Sequence, residues 1–167
     1  MSKKYLLDAN VFIEAHRRYY AFDLVPSFWL FLTKCAQDNK IISIDRVKYE
    51  LEKQEDILSN WIKDEFSEWF MSTDDESVID NFKKLIKWTF EQEQFLDYAK
   101  SEFSNVADSW LIAYAMAYDY TIVTHEKYNP HQRNKILIPN VCKEFGVKYV
   151  DTFDMLRQLN FRQFISS

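Results

Sequence analysis

Tyr5-Leu6-Leu7-Asp8-Ala9-Asn10-Val11-Phe12-Ile13 is the stretch that decides how this chain folds. A short apolar run meets a carboxylate and then passes into a helical pattern. Such a run predicts a strand buried in a parallel sheet. Asp8 then stands at the carboxyl end of that strand, the edge at which ligands bind in open α/β sheets. Asn10 lies where the next helix begins and suits a capping position. Asp8 has two readings on this stretch alone. It is a ligand for a divalent cation, or it starts a turn or caps the helix. Whether other acids converge on the same point separates the two.

The arrangement of strand followed by acid recurs. Ile41-Ile42-Ser43-Ile44 is a β-branched run ending at Asp45, and a helix through Val47 and Leu51 carries Glu50 just past it. Tyr120-Thr121-Ile122-Val123-Thr124 is another, followed by His125-Glu126. A final strand is predicted over 147–150. Helices are predicted at 11–20, 27–37 (after Pro26), 57–70, 76–90, 94–101, 141–145 and 152–159, with Gly146 closing the helix at 141–145. Asn105 to Ala115 is a strongly apolar helix with one acid, Asp108, on its first turn. Strands alternating with helices predict an α/β fold with a mostly parallel central sheet flanked by helices. Trp61, Phe66 and Trp69, and then Phe82, Leu85, Ile86 and Phe90, recur at the spacing of core-facing helical residues.

Composition excludes several classes. The chain has 167 residues, enough for one domain with a substantial core, and a single glycine, Gly146. That rules out both a Gly-x-Gly-x-x-Gly dinucleotide loop and a P-loop. Cys35 and Cys142 form no C-x-x-C pair, so neither a zinc knuckle nor a disulfide framework is expected. Only three apolar residues separate Met-Ser-Lys-Lys from Asp8, and no long apolar run follows. A cytoplasmic protein with no membrane span is expected. The net charge of −5 counts against a generic nucleic-acid binder, although a local basic strip still guides phosphates. The aromatic content of 17% is more than one core of this size readily buries. A homodimer or a complex with another protein is therefore expected.

Asp8 and Glu126 follow strands directly, Glu50 sits a turn into a helix after a strand, and Asp108 opens an apolar helix. Four acids at one sheet edge would repel one another. A hard divalent cation such as Mg²⁺ or Mn²⁺, which prefers oxygen ligands, removes that repulsion and can serve phosphoryl chemistry. Taken singly, each acid has a plain alternative: a solvated helix acid at Glu50, a cap at Asp108, a turn residue beside Lys127 at Glu126.

These residues carry a resemblance. Leu6-Leu7-Asp8-Ala9-Asn10-Val11-Phe12-Ile13 resembles the opening strand and first acid of the PIN domain, the nuclease fold of VapC-type toxins. Val47-Lys48-Tyr49-Glu50-Leu51 is similar to its second motif, and Ala107-Asp108-Ser109-Trp110-Leu111-Ile112-Ala113 to its third. Thr121-Ile122-Val123-Thr124-His125-Glu126 resembles its fourth strand, with Glu126 where the family usually has Asp. The resemblance spans nearly the whole chain and implies one PIN-like domain over residues 1–167, three-layered, with a longer helical middle than the smallest toxins. It implies a metal-dependent endoribonuclease, the toxin of a toxin-antitoxin pair. Asp8, Glu50 and Asp108 would bind Mg²⁺ or Mn²⁺, Glu126 would complete the shell, and Asn10 would orient Asp8 or the attacking water. Arg17, Arg18, Lys127, His131, Arg133 and Lys135 would hold the RNA backbone. The partners implied are the RNA substrate and a cognate antitoxin.

Two other readings compete. A haloacid-dehalogenase-like phosphatase also opens with a strand and an aspartate, but its chemistry wants Asp-x-Asp and the second position here is Asn10. A catalytically weak PIN-like module that binds RNA or a partner draws its support from Glu126.

Overall fold

The computed structural model describes residues 3–162. Its centre is strand β1 (Tyr5–Leu7), buried at all three residues. β1 lies between β2 (Ile41–Ile44) and the strand at Thr121–Val123, parallel to both, with Tyr5 opposite Ile41 and Thr121. A strand covered on both faces has no solvated side, which is why its residues run apolar without alternation. Short strands at Phe70–Met71 and Tyr149–Val150 extend the sheet outward. Numbered along the chain, these are β3, β4 (Thr121–Val123) and β5, and the order is β3-β2-β1-β4-β5 with every pairing parallel. Ser43, the one polar residue of β2, is fully buried; its hydroxyl donates to the Leu7 carbonyl at 2.6 Å.

After β1 the chain steps to β2 and β3 on one side and then returns to β4 on the other. The sheet therefore has a topological switch between β1 and β4, where connections leave in opposite directions and a crevice opens at the strands' carboxyl ends. The Asp8 N–H donates to the Val123 carbonyl at 3.0 Å, continuing the pairing to that point.

The helices are α1 (Ala9–Glu14), α2 (Pro26–Gln37), α3 (Asp45–Glu52), α4 (Ile57–Trp61), α5 (Glu76–Glu91), α6 (Asp97–Asn105), α7 (Ala107–Tyr118), α8 (Ile138–Phe145) and α9 (Thr152–Gln158). The expected α/β architecture with a parallel sheet is the one observed. None of the described helices is long and apolar enough to cross a membrane.

Several boundaries differ from the sequence pattern. The helix at 11–20 begins two residues earlier, and a π-helical turn covers Ala15–Tyr19. Asn10 is therefore inside α1; Asp8 occupies the capping position, yet its side chain makes no capping hydrogen bond. The helix at 57–70 is three short pieces and a strand. α4, held by a capping box between Asp56 and Ser59, gives way to a π-helical turn at Ile62–Phe66 and a 3₁₀ turn at Ser67–Trp69. Phe70 and Met71 then pair with β2. The backbone bonds offered by the edge of β2 outweigh a local helical pattern. The helix at 94–101 shifts to Asp97–Asn105 because the preceding residues are tied to a distant loop: the Leu96 N–H donates to the Arg133 carbonyl at 3.0 Å, and Gln94 Nε2 to the Pro130 carbonyl at 2.9 Å. α8 starts three residues early, with Pro139 in its first turn, where no N–H is missed. Only Tyr149 and Val150 of the last expected strand pair.

The aromatic residues largely pack on one another. The Phe12 ring meets Phe66 at 5.7 Å and Phe70 at 6.0 Å, Phe22 stacks on Trp29 at 3.9 Å, and Tyr20 on Phe28 at 4.4 Å. Cys35 and Cys142 are buried free thiols.

Phe12 is fully buried in this aromatic cluster, one turn after Asp8. Phe12→Ala is expected to destabilise the fold by roughly 3–5 kcal/mol, whereas Leu30→Ser, on the exposed face of α2, is expected to be near neutral. Chemical denaturation of the two variants against the parent tests both.

Candidate active site

The switch between β1 and β4 places Asp8 and Thr124 side by side. The Thr124 hydroxyl donates to Asp8 Oδ2 at 3.1 Å and accepts from the Glu126 N–H at 3.2 Å, so one hydroxyl ties the two strand ends together. Asp8 is 3% exposed. Burial, followed by the negative charge of Glu126, pushes its carboxyl up to about 7; the Thr124 hydroxyl and the Ala9 N–H oppose this. An acid that only capped α1 would aim at that helix's free N–H groups. Asp8 instead turns to β4.

Asp108 lies on the first turn of α7. Among the described residues no side chain caps this helix and none donates to Asp108. Burial first, then the charges of Asp8 and Glu126, hold its carboxyl well above the ordinary carboxylate range. Glu126 follows β4 with its side chain 11% exposed, and burial raises its carboxyl too, opposed by Lys135 and the Ile138 N–H at the start of α8. Its Oε2 accepts no hydrogen bond; Lys135 Nζ stands 3.8 Å away. Glu50, on the exposed face of α3, adds repulsion to both Asp8 and Asp108.

All four acids and Asn10 line one cleft of about 540 Å³. Asp8, Glu50, Asp108 and Glu126 thus come from four separate places in the chain to one volume at the sheet's carboxyl edge. Hard oxygen donors are the ligands that Mg²⁺ and Mn²⁺ prefer. Among the described residues, no three His, Cys, Asp or Glu side chains are arranged to enclose an ion as they stand. That suits Mg²⁺ poorly as an all-protein cage and well as an ion that keeps most of its waters and takes one or two carboxylates. The Glu126 Oε2, which among the described residues accepts no hydrogen bond, and the mutually repelling Asp8 and Asp108 are the donors that such an ion would satisfy.

The basic residues expected at the site divide. Lys135 lines the cleft. Lys127 lines an adjoining cleft of about 730 Å³ that shares Asn10 and Glu126 with it. Arg17 borders a smaller hollow that shares Glu50, and reaches Gln54 at 3.5 Å. Arg18 is paired with Glu14 at 3.3 Å. His131 and Arg133 lie on the exposed loop before α8, around a hollow that shares no residue with the acid cleft. Arg133 Nε donates to the Gln94 carbonyl, so its work is to fasten that loop.

Three residues of the site escaped the sequence reading. Thr124 orients Asp8, Arg46 enters the cleft from the first turn of α3, and Lys53 enters it from the end of that helix. Thr124 had a local signal, a hydroxyl at the end of an apolar strand. The other two are ordinary surface cations until α3 is placed.

A family model described as a domain of unknown function, DUF4411, matches residues 5–163. The chain belongs to that family. No curated protein matches it. Among solved structures it is similar to a chain of VapBC2 from Rickettsia felis, solved bound to a DNA fragment from their promoter. The likeness has a TM-score of 0.51 at 14% identity and covers 88% of this chain and 97% of that one. It shows a shared fold, the PIN/VapC-like arrangement that the motifs resemble.

The raised carboxyl of Asp8 fixes a pH dependence. Its pKa in the folded protein, about 7, lies above the ordinary carboxylate value of 3.8, so the fold favours the protonated form. That stability is complete below the unfolded value and is lost as pH rises through 7. For metal-free protein we expect stability to fall between pH 4 and pH 8 as the paired acids Asp8 and Asp108 give up their protons. Asp8→Asn should make that slope shallower, leaving the part that Asp108 contributes. Thermal melts of parent and variant in a chelator across this range measure it.

Proposed function

We propose that this protein is a Mg²⁺- or Mn²⁺-dependent endoribonuclease that hydrolyses RNA phosphodiesters. The observation that carries the reading is the convergence of Asp8, Glu50, Asp108 and Glu126 on one cleft at the switch of a parallel sheet, with Asp8 and Asp108 both held in a state that disfavours ionisation without a counter-charge. Structural acids have no reason to gather where they repel one another. The likeness to VapBC2 in fold and the resemblance of four motifs to VapC-type toxins support the same reading. They also support a toxin role with a cognate antitoxin as protein partner.

In this reading Asp8 and Asp108 would hold the cation directly, with Glu126 and, from the exposed rim, Glu50 reaching it through its waters. An ion held there would supply charge for the phosphate and lower the pKa of a water at the site. The chain's own residues do the positioning. Thr124 fixes the Asp8 carboxylate, Asn10 presents an amide at the cleft wall for orienting Asp8 or a water, and Lys135 offsets the charge of Glu126. Leu24, Leu30 and Ile57, all largely exposed, offer apolar area for a protein partner.

A non-catalytic module that binds RNA or a protein is the second reading. One observation favours it: among the described residues no three acids are arranged to enclose an ion. It predicts binding without cleavage at any metal concentration.

Asp108→Asn separates the two. Asn caps a helix about as well as Asp, so a structural Asp108 predicts an active, unchanged variant. A metal-binding Asp108 predicts that cleavage in Mn²⁺ falls by at least about 100-fold while the metal-free melting temperature holds or rises. The stabilisation that Mn²⁺ gives the parent should disappear in the variant. Retention of parental cleavage by Asp108→Asn would remove this residue from the site.

A further inference from the structure

Arg46 stands in a cleft with five carboxylates, those of Asp8, Glu50, Glu102, Asp108 and Glu126, and forms an ion pair with none of them among the described residues. Its guanidinium is held elsewhere. The carbon at its centre lies 4.0 Å above the Trp110 ring, and Trp110 in turn stacks on Phe82 at 3.8 Å with the planes 7° apart. Arg46 Nε donates to the Thr73 hydroxyl at 3.1 Å. Thr73 is itself buried and fixed, because its N–H and its hydroxyl donate to the Asp45 carboxylate at 3.1 and 2.9 Å. One face and one edge of the guanidinium are thus used by Trp110 of α7 and by Thr73 just after β3, with Phe82 of α5 backing the Trp110 ring. Neither Nη nitrogen has a partner among the described residues, and the side chain lines the acid cleft.

That is the geometry of a fork set to receive two oxygens. A guanidinium fixed at Nε keeps its remaining donors in one plane and loses little freedom on binding, and that plane fits a phosphate bidentately. The other cations of the cleft differ. Lys135 is engaged by Glu126, and Lys53 is an exposed, unbranched chain at the end of α3. A phosphate approaching these acids needs a positive group that they have not consumed.

We propose that Arg46 is a fixed anchor for a backbone phosphate of single-stranded RNA, next to the phosphodiester that is cleaved, with Trp110 and Thr73 as its positioning residues. The inference rests on the nuclease reading above and extends it to how the strand is held.

The test measures binding apart from cleavage. Fluorescence anisotropy of a short fluorescein-labelled single-stranded RNA is read on the full chain in an Asp8→Asn background without metal, over a range of salt. Adding Arg46→Ala should weaken binding about tenfold and reduce the salt slope by about one. Arg46→Lys should restore the slope, because the charge returns, but not the affinity, because the fork and the ring contact are lost. Lys84→Ala, an exposed cation on α5, should change neither. With Asp8 restored, Arg46→Gln should raise KM and leave kcat within about twofold. Melting temperatures and Arg46→Gln binding control for misfolding of the alanine variant. Unchanged affinity and slope in Arg46→Ala and Arg46→Gln, full recovery by lysine, or no RNA binding by the Asp8→Asn background would overturn the anchor. A parent that cleaves RNA while the Arg46 variants bind normally ends the anchor alone. A parent that never cleaves but binds through Arg46 ends the nuclease reading and keeps the anchor.

Discussion

Asp8 is a carboxylate at the end of the central strand, shut away from water and facing other carboxylates. Burying an ionised acid is costly, and a second negative charge nearby raises the cost. The protein accepts that at the point where its sheet is best ordered, between β1 and β4. The surrounding structure holds the arrangement in place. Thr124 bonds Asp8 and receives the Glu126 N–H, the Asp8 N–H continues the β1–β4 pairing, and the first turn of α1 leads into the buried Phe12. Relaxing Asp8 outward would disrupt β-sheet pairing, so the unfavourable charge stays where it is.

The scaffold that enforces this is aromatic to an unusual degree. With a single glycine and three prolines the chain has few sharp turns, and it breaks its helices by π and 3₁₀ turns instead. Each break brings ring-bearing residues into one cluster beneath α1: Trp61 and Phe66 from the middle segment, Phe70 from β3, and Phe22 and Trp29 from the entry to α2. Close-packed rings resist small displacements. The cluster buries the rings around Phe12, while others such as Tyr49, Phe90 and Tyr98 stay exposed. Exposed apolar area for a partner is offered both by rings such as Tyr49 and Tyr98 and by aliphatic residues such as Leu24 and Leu30.

The four converging acids were legible in the sequence and the cations only in part, as Lys135 and Lys127 against Arg46 and Lys53, and the reason is range. An apolar strand followed by an acid is a local pattern, and parallel sheets bring such ends to one edge. That logic located Asp8, Glu126, Asp108 and Glu50. It also found the sheet, apart from β3, whose two residues pair at an edge and leave no periodicity to read. Basic residues carry no such pattern. Lys135 and Arg133 are two apart in sequence, yet one enters the cleft and the other fastens a loop to Gln94. Arg46 differs from any surface arginine only through Thr73 and Trp110, which are distant in sequence and meet it only in the folded chain.

Glu126 shows how the site tolerates a departure from the pattern it resembles. Glutamate carries one methylene more than aspartate, so its carboxylate reaches further from the strand end. Here the extra reach takes Oε2 to within 3.8 Å of Lys135, on the loop before α8, while the side chain stays 89% covered. The same carboxylate still raises both Asp8 and Asp108, so it remains electrostatically inside the site. Lys135 pulls in the opposite direction on Asp108 and on Glu126. The longer acid and the lysine therefore act as a unit: the lysine offsets part of the charge that glutamate brings, and the shared cleft keeps a negative excess centred on Asp8 and Asp108. An aspartate at 126 would sit closer to the strand end and further from Lys135. It would leave that excess larger and the apo fold less stable, which is a physical reason for the longer side chain at this position.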